Sequence, residues 1–273
     1  MVAVSNPALD DLPSVLTDWF DIRSGADTGC SFEISSGVEA LNAEGTAWVA
    51  RGPWSPLGAI EQEALKRAQR AHWSRGLSLT ALDGALLASA HANLIDRLAV
   101  TKGGENEELG AAIADFRQSF LAALASRGFQ LGTEGPADLI VNPPDVASTA
   151  YDYANDKMIG LHIDNHESLP LDGRDRALIL AHMNIGWCDR FLHVIPTPLL
   201  ALIRALELDP ACGMAPREIK DELFRRWSDA PVLRIRIPPG TAYLLNTQNA
   251  IHDGSTSPGE VPDVAFLMMG RPT

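Results

Sequence analysis

Cysteine is scarce: the 273 residues hold three, Cys30, Cys188 and Cys212, widely spaced and without a Cys-x-x-Cys pair. An odd, scattered set argues against a disulfide frame and fits thiols kept reduced in a cytoplasm. Basic charge is short as well, with 22 Lys and Arg against 35 Asp and Glu, a net charge of −13. A nucleic-acid partner would normally ask for a basic face or stripe, so none is expected. No apolar run approaches the roughly 18–20 residues that span a bilayer. The opening Met1-Val2-Ala3-Val4-Ser5 has no basic stretch leading into an apolar one, so neither a secretory leader nor a membrane partner is expected. Repeats and low-complexity tracts are absent too. What remains is 46% hydrophobic and 21% charged, enough to bury a core. The expectation is a soluble, acidic, cytoplasmic globular protein.

The two halves read differently. In the first, Asp10–Phe20 suggests a short helix and Ala47–Ala50 a short strand. Ile60, Ala64, Leu65, Ala68 and Ala71 recur at helical steps up to Gly76. Ser78 or Thr80 could cap a second helix carrying Leu82, Leu86, Leu87, Leu94, Ile95 and Leu98 to about Val100. A third spans Glu105–Arg127 and stops at Gly128. Residues 1–135 therefore read as a mainly helical layer. From 136 onward short β-forming runs alternate with Pro, Gly and Asn clusters, at 138–141, 158–161, 177–183, 232–237, 242–245 and 264–269. A helical insert interrupts them at about 197–228. Many short strands without a helix between each pair point to a sandwich or barrel rather than a parallel sheet. The fold expectation is α+β: a jelly-roll core at 136–273 with an N-terminal helical support, in a single domain.

The chemistry concentrates in Gly160-Leu161-His162-Ile163-Asp164-Asn165-His166-Glu167. On a strand, residues two apart project to the same side about 7 Å from each other, so His162 and Asp164 can converge on one cation. The best third ligand is His252, 88 residues beyond Asp164, read as sitting where a strand passes into a loop. Two histidines and one carboxylate leave open coordination positions, the facial set of non-haem Fe(II) oxygenases. His166 is a weaker ligand candidate, better suited to contact the ligands or the substrate. His182 and His193 sit among apolar neighbours and read as core residues, and His72 and His91 as helix packing.

The His-x-Asp pair, the distal histidine and the late C-terminal strand together resemble the Fe(II)/2-oxoglutarate-dependent oxygenases. The resemblance covers roughly Asp138–Thr273. It implies a double-stranded β-helix, a cupin-like jelly roll, with Fe(II) on His162, Asp164 and His252. It also implies 2-oxoglutarate as co-substrate, with O₂ and a small-molecule substrate as the other partners. The reaction implied is C–H oxidation with release of succinate and CO₂: hydroxylation, with desaturation or cyclisation as other outcomes. In that family a basic residue after the distal histidine, often in an Arg-x-Ser step, pairs with the far carboxylate of the co-substrate. Here Arg271-Pro272-Thr273 offers it, nineteen residues past His252. Arg176, Arg190, Arg234 and Arg236 are the other arginines that could serve. Asn184, Asn142, Tyr151 and Tyr153 are further polar candidates for the barrel interior. Two rivals stand beside this reading: a metal-dependent cupin-type oxidase or isomerase without 2-oxoglutarate, and a non-catalytic β-sandwich binding protein. A zinc hydrolase is weaker, since the chain has no His-Glu-x-x-His helix.

Overall fold

The computed structural model describes residues 21–273 except 26, 60, 62–72, 101–106, 153 and 210–212. The helix expected over 10–20 and most of that over 60–76 lie outside the described residues, as do His72 and Tyr153.

Six strands come first: β1 (Ile22–Ser24), β2 (Ser31–Ile34), β3 (Val38–Ala40), β4 (Trp48–Ala50), β5 (Ser55–Pro56) and β6 (Leu77–Ala81). Ser78 and Thr80 therefore cap no helix. They alternate with Leu77 and Leu79 along a strand, the period-two signature. The cap is Asp83, whose carboxylate accepts the amide of Ala85 at 2.8 Å. The helix it opens, α1, runs through Gly84–Ala90, a π-helical turn at His91–Ile95, and Asp96–Val100. Helix α2 (Glu107–Ser126) ends at Gly128, as its left-handed φ of +86° allows, with the Phe129 amide returning to the Leu124 carbonyl at 3.0 Å. Then follow β7 (Ala137–Asn142), the hairpin β8 (Tyr151–Asp152) and β9 (Lys157–Met158), β10 (Ile179–Asn184) and β11 (Arg190–Ile195). Helices α3 (Leu199–Ala205) and α4 (Pro216–Arg226) lead to β12 (Leu233–Ile237), β13 (Thr241–Leu245), β14 (Ile251–Thr256) and β15 (Asp263–Gly270).

Two sheets face each other. One is ordered β1-β6-β13-β10-β15-β7 and the other β14-β11-β12-β2-β5. Pairing is antiparallel throughout except for β1 with β6. From β7 onward the chain passes back and forth between the sheets, with the segment at 160–164 lying against β14. This is the winding of a double-stranded β-helix. The N-terminal half is not purely a helical layer: β1 and β6 lengthen one sheet, and β2 and β5 the other. Short strands of two to five residues give too little periodicity to be read beforehand.

Three apolar clusters hold these layers. Between the sheets, Leu180, Tyr243 and Met269 meet Leu192, Val194, Leu233 and Ile235. On the outer face of the six-stranded sheet, Phe116 and Phe120 of α2 pack on Phe266 of β15, with ring centroids 4.8 and 5.4 Å apart. The third cluster packs α3 and α4 against the β3–β4 hairpin and the end of the barrel that includes Leu161 and Ile251.

His193 illustrates a buried polar residue on the outer face of the five-stranded sheet. Its ring lies 5.1 Å from that of Trp54, and Nε2 meets the Ser255 hydroxyl at 3.2 Å. Burial, with the nearby Arg234 charge adding to it, pulls its pKa down to about 3. A histidine that is neutral when folded and titrates near its ordinary value when unfolded stabilises the fold above about pH 6.5. That contribution is lost as pH falls toward 3. The melting temperature of the metal-free protein should therefore drop between pH 7 and pH 4, and drop less in His193→Gln. Equal losses in both proteins would refute the assignment.

Candidate metal centre

The barrel end formed by the segment 160–167 and the start of β14 brings the three expected ligands together. His162 and His252 are direct cross-strand neighbours, each amide bonding the other's carbonyl at 2.9 Å. His252 thus opens a strand rather than a loop. His162 sits in a single bridge rather than a regular strand, and Asp164 lies just beyond it. What brings Asp164 back toward the pair is its amide bond to the Thr247 carbonyl at 3.1 Å. Gly160, at φ +70°, lets this segment dock: a Cβ there would stand 2.2 Å from the Trp48 carbonyl oxygen.

Both imidazoles are oriented by the backbone two residues earlier. Nδ1 of His162 lies 2.8 Å from the Gly160 carbonyl, and Nδ1 of His252 lies 3.2 Å from that of Ala250. A carbonyl can only accept, so each Nδ1 carries the proton and each Nε2 offers a lone pair. The Nε2 atoms meet Asp164 from two sides, His162 at 3.4 Å from Oδ1 and His252 at 3.8 Å from Oδ2. One donor atom from each residue falls within 4.8 Å of the other two. Donors about 2.1 Å from a shared ion sit about 3 Å apart on one face, so this spacing fits a single cation after a small contraction. His166 also bonds the carboxylate, Nε2 to Oδ2 at 3.1 Å, while remaining half exposed.

The electrostatics agree. Burial works against the Asp164 carboxylate, yet hydrogen bonds from His162 and His166 and the adjacent imidazoles hold its pKa well below the usual range. Burial followed by the neighbouring His162 lowers His252 to about 4. At His162 burial opposes the proton, but the hydrogen bond and charge of Asp164 outweigh it and raise the pKa. A permanent anion between two imidazoles is a cation-binding arrangement.

The expected co-substrate contacts are placed elsewhere. Arg271 is exposed, with its guanidinium bonded to Glu167 and to the Arg176 carbonyl. Thr273 is on the surface, its amide on the Gln130 carbonyl at 3.2 Å. Asn184 is fully buried, but its amide group stitches the turn after β10. Nδ2 donates to the carbonyls of Cys188 and Ile237, and Oδ1 accepts from Gly186, so no N–H is left for a carboxylate ligand. Tyr151 hydrogen-bonds Asp156 across the β8–β9 hairpin, and Arg234 and Arg236 pair with Glu33 and Asp189.

The arginine that faces the barrel interior is Arg190. It shares the inward side of β11 with Leu192 and Val194, and Val194 stands directly opposite His252. Arg190 is 3% exposed. Its Nη1 lies 3.2 Å from Oδ2 of Asp263, which also accepts from Asn142 at 2.8 Å. Nε and Nη1 of Arg190 have no hydrogen-bond partner, nor has Oδ1 of Asp263. His182 and Tyr243, stacked with ring centroids 4.9 Å apart, line the same interior, where burial, with the Arg190 charge adding to it, holds His182 well below its ordinary pKa. Asp263 carries no sequence signal beyond ending a Pro/Gly loop, so the pair was not readable.

No protein-family model matches the sequence, and no curated protein does. Among solved structures the chain is similar to the Kdo hydroxylase KdoO, described as a non-heme Fe(II) alphaketoglutarate dependent dioxygenase. Its cobalt(II) complex superposes with a TM-score of 0.44 at 14% identity, over 92% of this chain and 89% of that one. Its complex with alphaketoglutarate and Fe(III) gives 0.43 at 15% identity over the same shares. The likeness is distant, and the reading of the site stands on its own geometry. Among the described residues no helix is long and apolar enough to cross a membrane.

Proposed function

We propose that the protein is a non-haem Fe(II)/2-oxoglutarate-dependent oxygenase that oxidises a C–H bond of a small molecule. The observation that carries this is the convergence of two Nε2 lone pairs and one carboxylate at the end of a jelly roll, with both Nδ1 atoms already committed. The donor set is nitrogen and oxygen without thiolate, which suits iron in an open site. When bound there, iron supplies the centre at which O₂ and 2-oxoglutarate react to give succinate and CO₂. The chain's part is to hold three donors on one side of that centre and leave the other side open. His166 secures the Asp164 carboxylate from outside the triad.

Arg190 replaces Arg271 as the proposed anchor for the far carboxylate of 2-oxoglutarate. Its Cα lies about 13 Å along the strand from the residue paired with His252, a gap that an arginine side chain and an extended dicarboxylate can bridge. Its Nε–H and Nη1–H groups, which have no hydrogen-bond partner although Nη1 stands beside Asp263, suit a carboxylate. The dominance of acidic residues favours a substrate smaller than a polynucleotide, such as an amino acid or a natural-product intermediate.

One observation favours a second reading, a metal-dependent oxidase that needs no 2-oxoglutarate: Asp263 already neutralises Arg190. Fe(II)-dependent formation of succinate from 2-oxoglutarate, with matching O₂ uptake, separates the two. The first reading expects turnover to require both. Oxygen uptake that proceeds unchanged without 2-oxoglutarate would establish the second and overturn the first.

A further inference from the structure

Arg174 is 2% exposed and heads the set of large, fully buried side chains. It sits in a 3₁₀ turn, Leu171–Arg176, between β9 and β10. A buried guanidinium is costly unless its donors are used; here Nε has no partner, and the two terminal nitrogens are spent on two particular segments of chain. Nη1 donates to the Asp164 carbonyl at 2.8 Å and to the Gln248 carbonyl at 3.1 Å, while Nη2 donates to Oδ1 of Asn165. The first partner belongs to the segment that carries Asp164, and the second to the loop that runs into His252. The Arg174 carbonyl in turn accepts from Nδ2 of Asn246, at the start of that loop, at 2.7 Å. A parallel strap lies alongside: the Glu167 amide donates to Oε1 of Gln248 at 3.1 Å, and Nε2 of Gln248 donates to the Glu167 carboxylate at 2.9 Å.

The register of the sheet fixes His162 against His252, but Asp164 is outside any strand and has only one backbone bond, to Thr247, of this kind. We infer that Arg174 is a positioning residue that locks the Asp164 segment to the loop before His252 and so sets how tightly the triad holds its metal. Arg174 touches neither metal nor substrate; it acts through the ligands' backbone. The inference rests on the metal reading above, and the test separates the two failures.

The experiment titrates the purified full chain with Co(II) under anaerobic conditions, following the visible cobalt bands, for wild type, Arg174→Met, Arg174→Lys and Lys220→Met. Lys220 is as buried as Arg174, and its Nζ holds the Thr46 carbonyl at 3.0 Å on the other side of α4. It therefore reports what loss of a buried cation does to the fold alone. Arg174→Met should weaken Co(II) binding by about 10–100-fold, the usual cost of losing an outer partner of a metal site, and should change the shape of the bands. Arg174→Lys should recover part of the affinity, because an ammonium reaches one carbonyl but cannot span both. Lys220→Met should melt earlier yet bind Co(II) as wild type does. Folded Arg174→Met with wild-type affinity and bands would overturn the inference and leave the metal site standing. Should Arg174→Met fail to fold, wild-type affinity and bands in Arg174→Lys would overturn it instead. A wild-type protein that binds no Co(II) would remove the metal reading itself.

Discussion

Asp164→Ala should abolish Fe(II) binding and, with it, succinate formation. Loss of an outer partner of a metal site costs about 10–100-fold in affinity, and loss of a ligand should cost more. The reason lies in the site's charge. Asp164 is the sole anion among the three ligands and the atom set on which both Nε2 atoms and His166 converge. Without it, two imidazoles and a third nearby face one another with nothing to offset a divalent ion. His162→Ala should have the same effect, since it removes one of the two Nε2 donors. Neither substitution should unfold the protein, because the backbone pairing of residues 162 and 252 does not depend on these side chains. The check is metal analysis of anaerobically loaded protein alongside a succinate assay. A folded Asp164→Ala protein that still releases succinate at the wild-type rate would refute the triad.

The second large effect is expected at Arg190. Single removal would leave Asp263 buried and unpaired, which costs about 3–5 kcal/mol, so the informative variant is the paired Arg190→Gln, Asp263→Asn. It removes both charges and keeps groups able to hydrogen-bond each other and Asn142. A charged hydrogen bond contributes about 1.5–3 kcal/mol, which converts to a rise of roughly 10–150-fold in the KM for 2-oxoglutarate. Metal affinity should not change, because Arg190 lies four residues along β11 from the position opposite His252. Arg271→Gln serves as the comparison. Its side chain is bonded to Glu167 at the protein surface, so it should leave that KM close to wild type. A large rise in Arg271→Gln and none in the paired variant would return the anchor to the C-terminus.

These two predictions mark where the sequence was and was not legible. The convergence of His162, Asp164 and His252 was readable because its chemistry is local: His-x-Asp places two donors together whatever the surrounding strand does, and a distal histidine is short of other roles. The later strands were readable from alternation and turn residues, although β11 and β14 were missed. β11 (Arg190–Ile195) lies just before the helical insert, where no element is read, and polar residues on both faces of β14 (Ile251–Thr256) blur its period. Within residues 22–81 the expected strand at 47–50 is present as β4, whereas β1, β2, β5 and β6 escaped because each is short and draws its order from a sheet laid down later in the chain. Ser78 and Thr80 were misassigned since a polar residue before an apolar run suits a helix cap and the strand face opposite Leu77 and Leu79 equally. The proposed anchor, Arg190 in place of Arg271, was less legible for a different reason. A basic residue near the C-terminus satisfies a linear spacing, whereas the inward face of β11 is defined only by its pairing with β12 and β14. Arg174 was invisible for the same reason: its partners lie 10 and 74 residues away, and only the folded loops join them.

The most direct test is anaerobic titration of the full chain with Fe(II), followed by addition of 2-oxoglutarate while the visible spectrum is recorded. One iron bound per chain, with a weak charge-transfer band that grows in only after the keto acid is added, is the predicted result. Protein that stays folded and binds no iron would contradict it and leave a jelly roll whose His162, Asp164 and His252 serve the fold alone.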